Sequence, residues 1–387
     1  MTPPARLSAA IEVLDRILAG APAEQALTNW GRGSRYAGSG DRAAVRDLVF
    51  DALRCHRSFA ALGGSETGRG LILGRLRAGG LPVEALFTGI GHAPAPLRPD
   101  DAMTAGDLPE LVALDCPDWL APALRDSLGD DFGPVMDLLR HRAPVFLRVN
   151  LGRIDRDTAQ KALAAEGIET RPHPLATSAL EVTGNARRIN ASKTYADGAV
   201  ELQDAASQAV VEALPLAQGM RVLDYCAGGG GKTLAMAARG ADRLYAHDAE
   251  PRRMRDLPSR AGRAGASVQL LDGGAVDKAG PFDLVLADVP CSGSGSWRRS
   301  PEGKWALGPD RLEELLRVQS AILDRVASLV AKGGSLAYAT CSLLDAENSR
   351  QIECFLDRTE GWEPILTRRF TPLDGGDGFF LAVLGRI

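Results

Sequence analysis

No stretch of the 387-residue sequence approaches the roughly 18 apolar residues that a membrane-spanning helix needs. The opening Met1-Thr2-Pro3-Pro4-Ala5-Arg6 leads into an apolar stretch broken by Glu12 and Asp15, unlike the core of a signal peptide. No membrane partner and a cytoplasmic location are therefore expected. The six cysteines, at positions 55, 116, 226, 291, 341 and 354, form no Cys-x-x-Cys pair, and the five histidines add no ligand pair. That argues against a metal site or a disulfide framework and for reduced thiols. Lysine is scarce: it supplies 6 of the 45 basic residues, first at Lys161, and the other 39 are Arg. Biased genome composition explains this better than selection for phosphate binding. A net charge of -4 excludes wholesale coating of nucleic acid but leaves room for a local basic face. Internal repeats and low-complexity tails are also lacking.

What is present describes an ordinary globular chain, 45% hydrophobic and 24% charged, long enough for two or three domains. Leu7, Ala10, Ile11, Leu14 and Leu18 recur at helical spacing, as do Val45, Leu48, Val49 and Leu53. Residues 91–109 are rich in Pro and read as a connection, after which helical spacing resumes through Leu120, Leu124 and Leu128 to Val135 and Leu139. From Val145 the texture changes to a strand (145–150), a helix (157–165) and an extended piece near Leu180, the signs of a small α+β module. From residue 221 strands alternate with helices: 221–224, 244–248, 268–272, 284–288 and 335–338. This is the rhythm of a doubly wound α/β sheet, whose ligand crevice lies at the carboxyl edge of the strands.

Three motifs fall at that edge. Asp224-Tyr225-Cys226-Ala227 runs into Gly228, Gly229, Gly230, Gly231, Lys232 and Thr233. A P-loop would need Gly where Cys226 stands, and a dinucleotide fingerprint opening at Gly228 would need Gly where Thr233 stands. What remains is a strand-to-helix turn bare of side chains, against which a cofactor can lie. Asp248 follows Gly228 by 20 residues, the spacing of an acid that binds ribose hydroxyls, and Asp272 closes the next strand within reach of an adenine amino group. Either acid alone is more often a loop cap. In series with Asp224 and Asp288 around a glycine turn, they fit S-adenosylmethionine, which has ribose and adenine but no phosphate.

The other two motifs carry thiols: Cys291 in Asp288-Val289-Pro290-Cys291-Ser292-Gly293 and Cys341 in Tyr338-Ala339-Thr340-Cys341-Ser342. A single cysteine is usually a small core hydrophobe, the reading preferred for Cys55, Cys116, Cys226 and Cys354. A cysteine between a strand and a turn reverses that preference.

These motifs, with Arg298-Arg299-Ser300-Pro301, Lys304-Trp305, Glu347-Asn348 and the terminal Asp377-Gly378-Phe379-Phe380, resemble the Sun/Nop-type RNA cytosine-5 methyltransferases. Asp41-Arg42 and Leu53-Arg54 resemble the NusB-like front domain of the bacterial RsmB-type branch, and Leu147 to Asn150 with Leu202-Gln203-Asp204 its small central module. The resemblance implies a helical NusB-like RNA-binding domain at 1–140, an α+β module at 141–215 and a Rossmann-like methyltransferase domain at 216–387. It implies Cys341 as nucleophile, Cys291 for product release, Asp288 steadying the base, and Lys232 near a thiol or the base. For S-adenosylmethionine it implies Cys226, Ala227, Gly228, Gly229, Gly230, Gly231, Lys232, Asp248, Arg253, Asp272 and Asp288. RNA is the implied partner, ribosomal rather than transfer RNA, for a monomeric enzyme without metal. Arg298 and Arg299, beside Cys291, are candidates to hold RNA phosphates. Two departures stand out: Gly228-Gly229 replaces the family's usual Ala-Pro, and Ser349 its usual second acid. Rival readings are a P-loop-like ATPase acting on RNA, and an RNA-binding regulator with an inactive methyltransferase fold.

Overall fold

The computed structural model describes residues 1–101 and 107–387, so part of the Pro-rich connection expected over 91–109 lies outside the described residues. The chain divides into two compact units, Met1–Arg142 with Trp297–Ala306, and Ala143–Ser296 with Leu307–Ile387.

The first unit is helical. Its leading helices are α1 (Pro3–Leu18), α2 (Ala23–Gly33), α3 (Ser39–Arg54), α4 (His56–Gly63) and α5 (Gly68–Ala78). Helix α1 starts where Thr2 caps it, the hydroxyl accepting the Ala5 N–H at 3.3 Å, with Pro3 in the first turn where no donor is missed. Its buried stripe is Leu7, Ala10, Val13 and Leu14, while Leu18 is exposed. Each buried Leu contributes roughly 1.5–3 kcal/mol. Helices α4 and α5 approach almost backbone to backbone, since a Cβ on Gly74 would lie 1.9 Å from the Phe59 carbonyl oxygen. The segment 297–306 belongs to this unit and caps the last carbonyls of α3: Trp305 Nε1 donates to Leu53 O at 2.6 Å and Lys304 Nζ to Arg54 O at 3.1 Å. Glu302 accepts the Ala23 N–H at the start of α2, at 2.7 Å.

The second unit holds two sheets. Strands β1 (Val145–Val149), β2 (Glu169–Pro172), β3 (Ala179–Gly184) and β4 (Val200–Leu202) form an antiparallel sheet ordered β2-β3-β1-β4. Alternation along β1 sends Leu147 and Val149 into this module's core with Leu163 and Ile168, and Phe146 into the core beside the larger sheet.

The larger sheet comprises β5 (Arg221–Asp224), β6 (Arg243–Ala246), β7 (Val268–Leu270), β8 (Phe282–Asp288), β9 (Val330–Thr340), β10 (Trp362–Phe370) and β11 (Phe379–Arg386), ordered β10-β11-β9-β8-β5-β6-β7. From β9 to β7 neighbours run parallel, and β11 runs antiparallel to β9 and β10. Apolar side chains cover both faces, Leu284, Leu286 and Ala337 on one and Val285, Ala287 and Leu336 on the other. Parallel strands buried on both faces carry such continuous apolar runs. The chain leaves β5 toward β6 and β7, then crosses to β8 and β9, so the switch point lies between the ends of β5 and β8. Strands β6 and β7 stop two residues short of the boundaries expected from sequence, which puts Asp248 and Asp272 in loops. Among the described residues, no helix is long and apolar enough to cross a membrane.

Candidate active site

Strand β5 ends on Asp224, and the chain turns through residues 225–230 into the helix Gly231–Ala238. Gly228 (φ 53°) and Gly230 (φ 81°) take left-handed conformations that cost a side-chain-bearing residue energy, and a Cβ on Gly230 would lie 2.2 Å from Leu257 Cδ1. Asp224 is fully buried; its Oδ2 accepts the Thr233 hydroxyl at 2.6 Å, while Oδ1 has no hydrogen-bond partner. Burial, with the charges of Asp288 and Asp248 adding to it, pushes this carboxyl up to about 7 despite the Thr233 bond. Thr233 thus faces inward, away from the position in which a P-loop hydroxyl would serve a magnesium ion.

Asp288, at the end of β8, receives Lys232 Nζ at 2.6 Å. Burial works against the Lys232 charge, but the Asp288 carboxylate outweighs it, and the ammonium is held above its ordinary range. Its Nζ also lies 4.8 Å from the centre of the Phe379 ring. Three residues beyond Asp288 stands Cys291, and directly after β9 stands Cys341; their sulfurs are 3.4 Å apart. The hydrogen bond to Cys341, then burial and the neighbouring Cys341 and Glu347 charges, raise the Cys291 thiol well above its ordinary range. Cys291 is therefore held as a thiol, able to donate to the Cys341 sulfur.

A cleft of about 480 Å³ opens along this edge, lined by Cys226, Ala227, Gly228, Gly229, Gly231, Lys232, Arg253, Asp288, Cys291 and Cys341 among others. That size lies within the range of small-molecule sites. Most residues singled out from sequence are thus brought together. Gly230 lies in the same loop. Cys226, preferred above as a core residue, is half-buried and lines the cleft, its thiol raised by burial and by the Asp224, Asp288 and Asp248 charges. Asp248 sits under the loop instead, accepting the Gly228 and Glu250 N–H groups at 2.9 Å each and facing Arg253 at 3.3 Å. Asp272 caps the helix Gly273–Ala279 through the Ala275 N–H at 2.8 Å. Arg298 is buried within the helical unit, its carbonyl accepting from Arg54 Nε at 2.7 Å, which is not how a phosphate-binding side chain is presented.

Sequence patterns assigned no role to Ser207 or Gln203, which line the cleft from the segment after β4, or to Arg148, whose buried guanidinium donates to Gln203 Oε1 at 2.5 Å and Gly231 O at 2.7 Å, although Gln203 and Arg148 lie in stretches that carried the resemblance. Burial brings this arginine down to about 10. Nor did they assign a role to Glu347, although Glu347-Asn348 was part of the motif.

The family model described as 16S rRNA methyltransferase RsmB/F matches residues 211–384, and that of the RsmF/B-like ferredoxin-like domain matches 116–189. The ribosomal RNA small subunit methyltransferase B of Xylella fastidiosa (strain 9a5c) is 36% identical over 286 residues, covering 69% of this chain and 68% of the relative. The protein of the same name from Citrobacter koseri is 34% identical over 284 residues, with 69% of this chain matched to 66% of its own length. The crystal structure of PH0851 superposes with a TM-score of 0.77 over 99% of each chain at 22% identity, a likeness of fold. With its cleft, its two thiols and these relatives taken together, the chain belongs to the RsmB/F branch of the Sun/Nop-type methyltransferase family.

Proposed function

We propose that this chain transfers the methyl group of S-adenosylmethionine to C5 of a cytosine in ribosomal RNA through a covalent cysteine–cytosine intermediate. The observation that carries the reading is the pair of sulfurs 3.4 Å apart at the switch-point cleft, beside the Lys232–Asp288 pair. The relatives' names supply the RNA class.

The cleft fits the cofactor. Its wall at Gly228 and Gly229 is bare of side chains, and a Cβ there would approach Arg253 and Arg260 at 3.3 and 3.0 Å. The partnerless Asp224 Oδ1 and the Asp288 carboxylate offer acceptors for the amino and hydroxyl groups of a nucleoside cofactor. In this reading Cys226 to Gly231, Lys232, Arg253 and Asp288 hold the cofactor, and Asp248 shapes the loop or reaches the ribose. S-adenosylmethionine supplies an electrophilic methyl group when bound.

The protein's own part follows from the pyrimidine. C5 of cytosine is a weak nucleophile. Attack of the Cys341 thiolate on C6 moves the electron pair of the C5–C6 bond toward C5, which then takes the methyl group. Asp288 holds the edge carrying N3 and the exocyclic amine while charge develops there. Water in the open cleft takes the C5 proton, the electron pair of that C–H bond restores the C5–C6 double bond, and the Cys341 thiolate leaves C6. The Cys291 thiol, 3.4 Å away, hydrogen-bonds the departing sulfur. Residues 1–140 act in this reading as the NusB-like domain that places the RNA, and 216–387 as the methyl-transferring domain of a monomer.

Methyl-labelled S-adenosylmethionine incubated with the protein and ribosomal RNA, followed by digestion to nucleosides, tests the reading. The label is expected in 5-methylcytidine. Label in another nucleoside, or transfer to transfer RNA alone, overturns it.

A further inference from the structure

We propose that Glu347 is the positioning residue that sets the spacing of the two site thiols, an inference resting on the methyl-transfer reading for its kinetic consequence but not for its geometry. Glu347 closes the short turn Asp345–Glu347 that follows β9, and it is fully buried. Its Oε1 accepts the Ser292 N–H at 2.8 Å and the Gln319 amide at 2.9 Å. Its Oε2 accepts the hydroxyls of Ser292 and Ser342, both at 2.5 Å. Ser292 follows Cys291 in the chain, and Ser342 follows Cys341. The same Gln319 nitrogen donates to the carbonyl of Pro290, the residue before Cys291, at 2.9 Å. One carboxylate therefore ties down the residue after each thiol, and through Gln319 the residue before one of them.

The chemistry suits a clamp. A carboxylate offers about four acceptor positions, and here four neutral donors from three segments fill them. Burying such a group among neutral partners is costly, so two loops that merely needed joining would be joined more cheaply by apolar packing. Satisfied networks of this kind fix one geometry. The neighbouring bonds reinforce it: the Tyr338 hydroxyl donates to the Glu347 carbonyl at 2.7 Å, and Asn348 Nδ2 donates to the Ser342 carbonyl at 3.0 Å. Glu347 reaches neither cleft nor base in this arrangement. It acts through Cys291 and Cys341.

Glu347→Gln keeps the shape and replaces one oxygen by an amide that donates. The two serine hydroxyls can turn to accept from it while the remaining oxygen keeps the Ser292 N–H and the Gln319 amide, so the fold survives, but the clamp loses the carboxylate's charge, and charge-assisted hydrogen bonds are roughly twice as strong as neutral ones. Two readouts follow. Without RNA or cofactor, diamide takes the two thiol hydrogens and leaves a Cys291–Cys341 disulfide, which peptide mapping by mass spectrometry measures. The rate is expected to fall by about tenfold or more in the variant, as expected when two reacting groups lose their mutual orientation. With RNA and S-adenosylmethionine, kcat falls at unchanged cofactor KM and the covalent protein–RNA adduct accumulates on denaturing gels. Gln319→Met, which removes one donor and the tie to Pro290, moves both readouts the same way and serves where Glu347→Gln fails to fold. Variants that melt like the wild type yet cross-link and turn over at its rate overturn the proposal. Should the wild type transfer no methyl group, the methyl-transfer reading fails while the cross-linking rate still judges the clamp.

Discussion

Asp224→Asn is expected to remove a pH dependence from the stability of the second unit. The Asp224 carboxyl, ordinarily near 3.8, is pushed up to about 7 by burial. Its folded value is raised, so the stability it contributes is fully present below its unfolded value of 3.8 and is lost as pH rises through 7. Every tenfold change in proton affinity is worth about 1.4 kcal/mol, so the ionised group at pH 8 costs about 3–5 kcal/mol relative to the neutral one. Asparagine cannot ionise. Its carbonyl still accepts the Thr233 hydroxyl, and its amide takes the place of the partnerless Oδ1. Wild-type protein should therefore lose stability between pH 4 and pH 8 where the variant does not, the gap in melting temperature at pH 8 being on the order of 10 °C. Thermal unfolding followed by circular dichroism across that range measures it. Parallel curves for the two proteins would refute the reasoning, because the burial argument requires the gap to open with pH.

Gly230→Ala should destabilise by about 2–5 kcal/mol in urea unfolding, the sum of left-handed backbone strain and overlap with Leu257 2.2 Å away. Gly219→Ala is its control, with a similar φ of 80° and nothing within 4 Å, so only the strain should appear there. Lys304, fully buried in the helical unit, is brought by burial from 10.5 down to about 8. Its folded value is depressed, so the stability it contributes is present above 10.5 and lost as pH falls through 8. Lys304→Met should abolish that slope, about 3 kcal/mol in unfolding experiments between pH 8 and 10.5.

The α/β rhythm and the motif positions were legible because both are local. Strands β5 and β8 end where their apolar runs meet Asp224 and Asp288, and the cysteines follow within three residues of a strand end. The front helices announced themselves by spacing, although in α1 the stripe turned toward Val13 and left Leu18 exposed. What escaped depends on contacts across the chain. Glu347 gains its place from Ser292, 55 residues away, and Gln319, 28 residues away, which no periodicity reports. Arg298 was a candidate to hold RNA phosphates because Cys291 is near in sequence, yet its segment belongs with the helical unit, where Trp297 and Lys304 are buried. Asp248 and Asp272 were placed by spacing at strand ends. The strands stop earlier, and both carboxylates satisfy backbone N–H groups, the alternative that short acidic side chains always offer.

The central claim is that Cys341 attacks the base and Cys291 releases it, and the order of events makes the two separable. Attack precedes methyl transfer and release follows proton loss from C5, so removing the later-acting group should trap what the earlier one made. Protein incubated with ribosomal RNA and S-adenosylmethionine, then run on a denaturing gel, measures this directly. Cys291→Ala is expected to give a slow protein–RNA band carrying the transferred methyl group, absent from Cys341→Ala and from the double variant. A trapped band in Cys341→Ala with none in Cys291→Ala would contradict the account by exchanging the two roles.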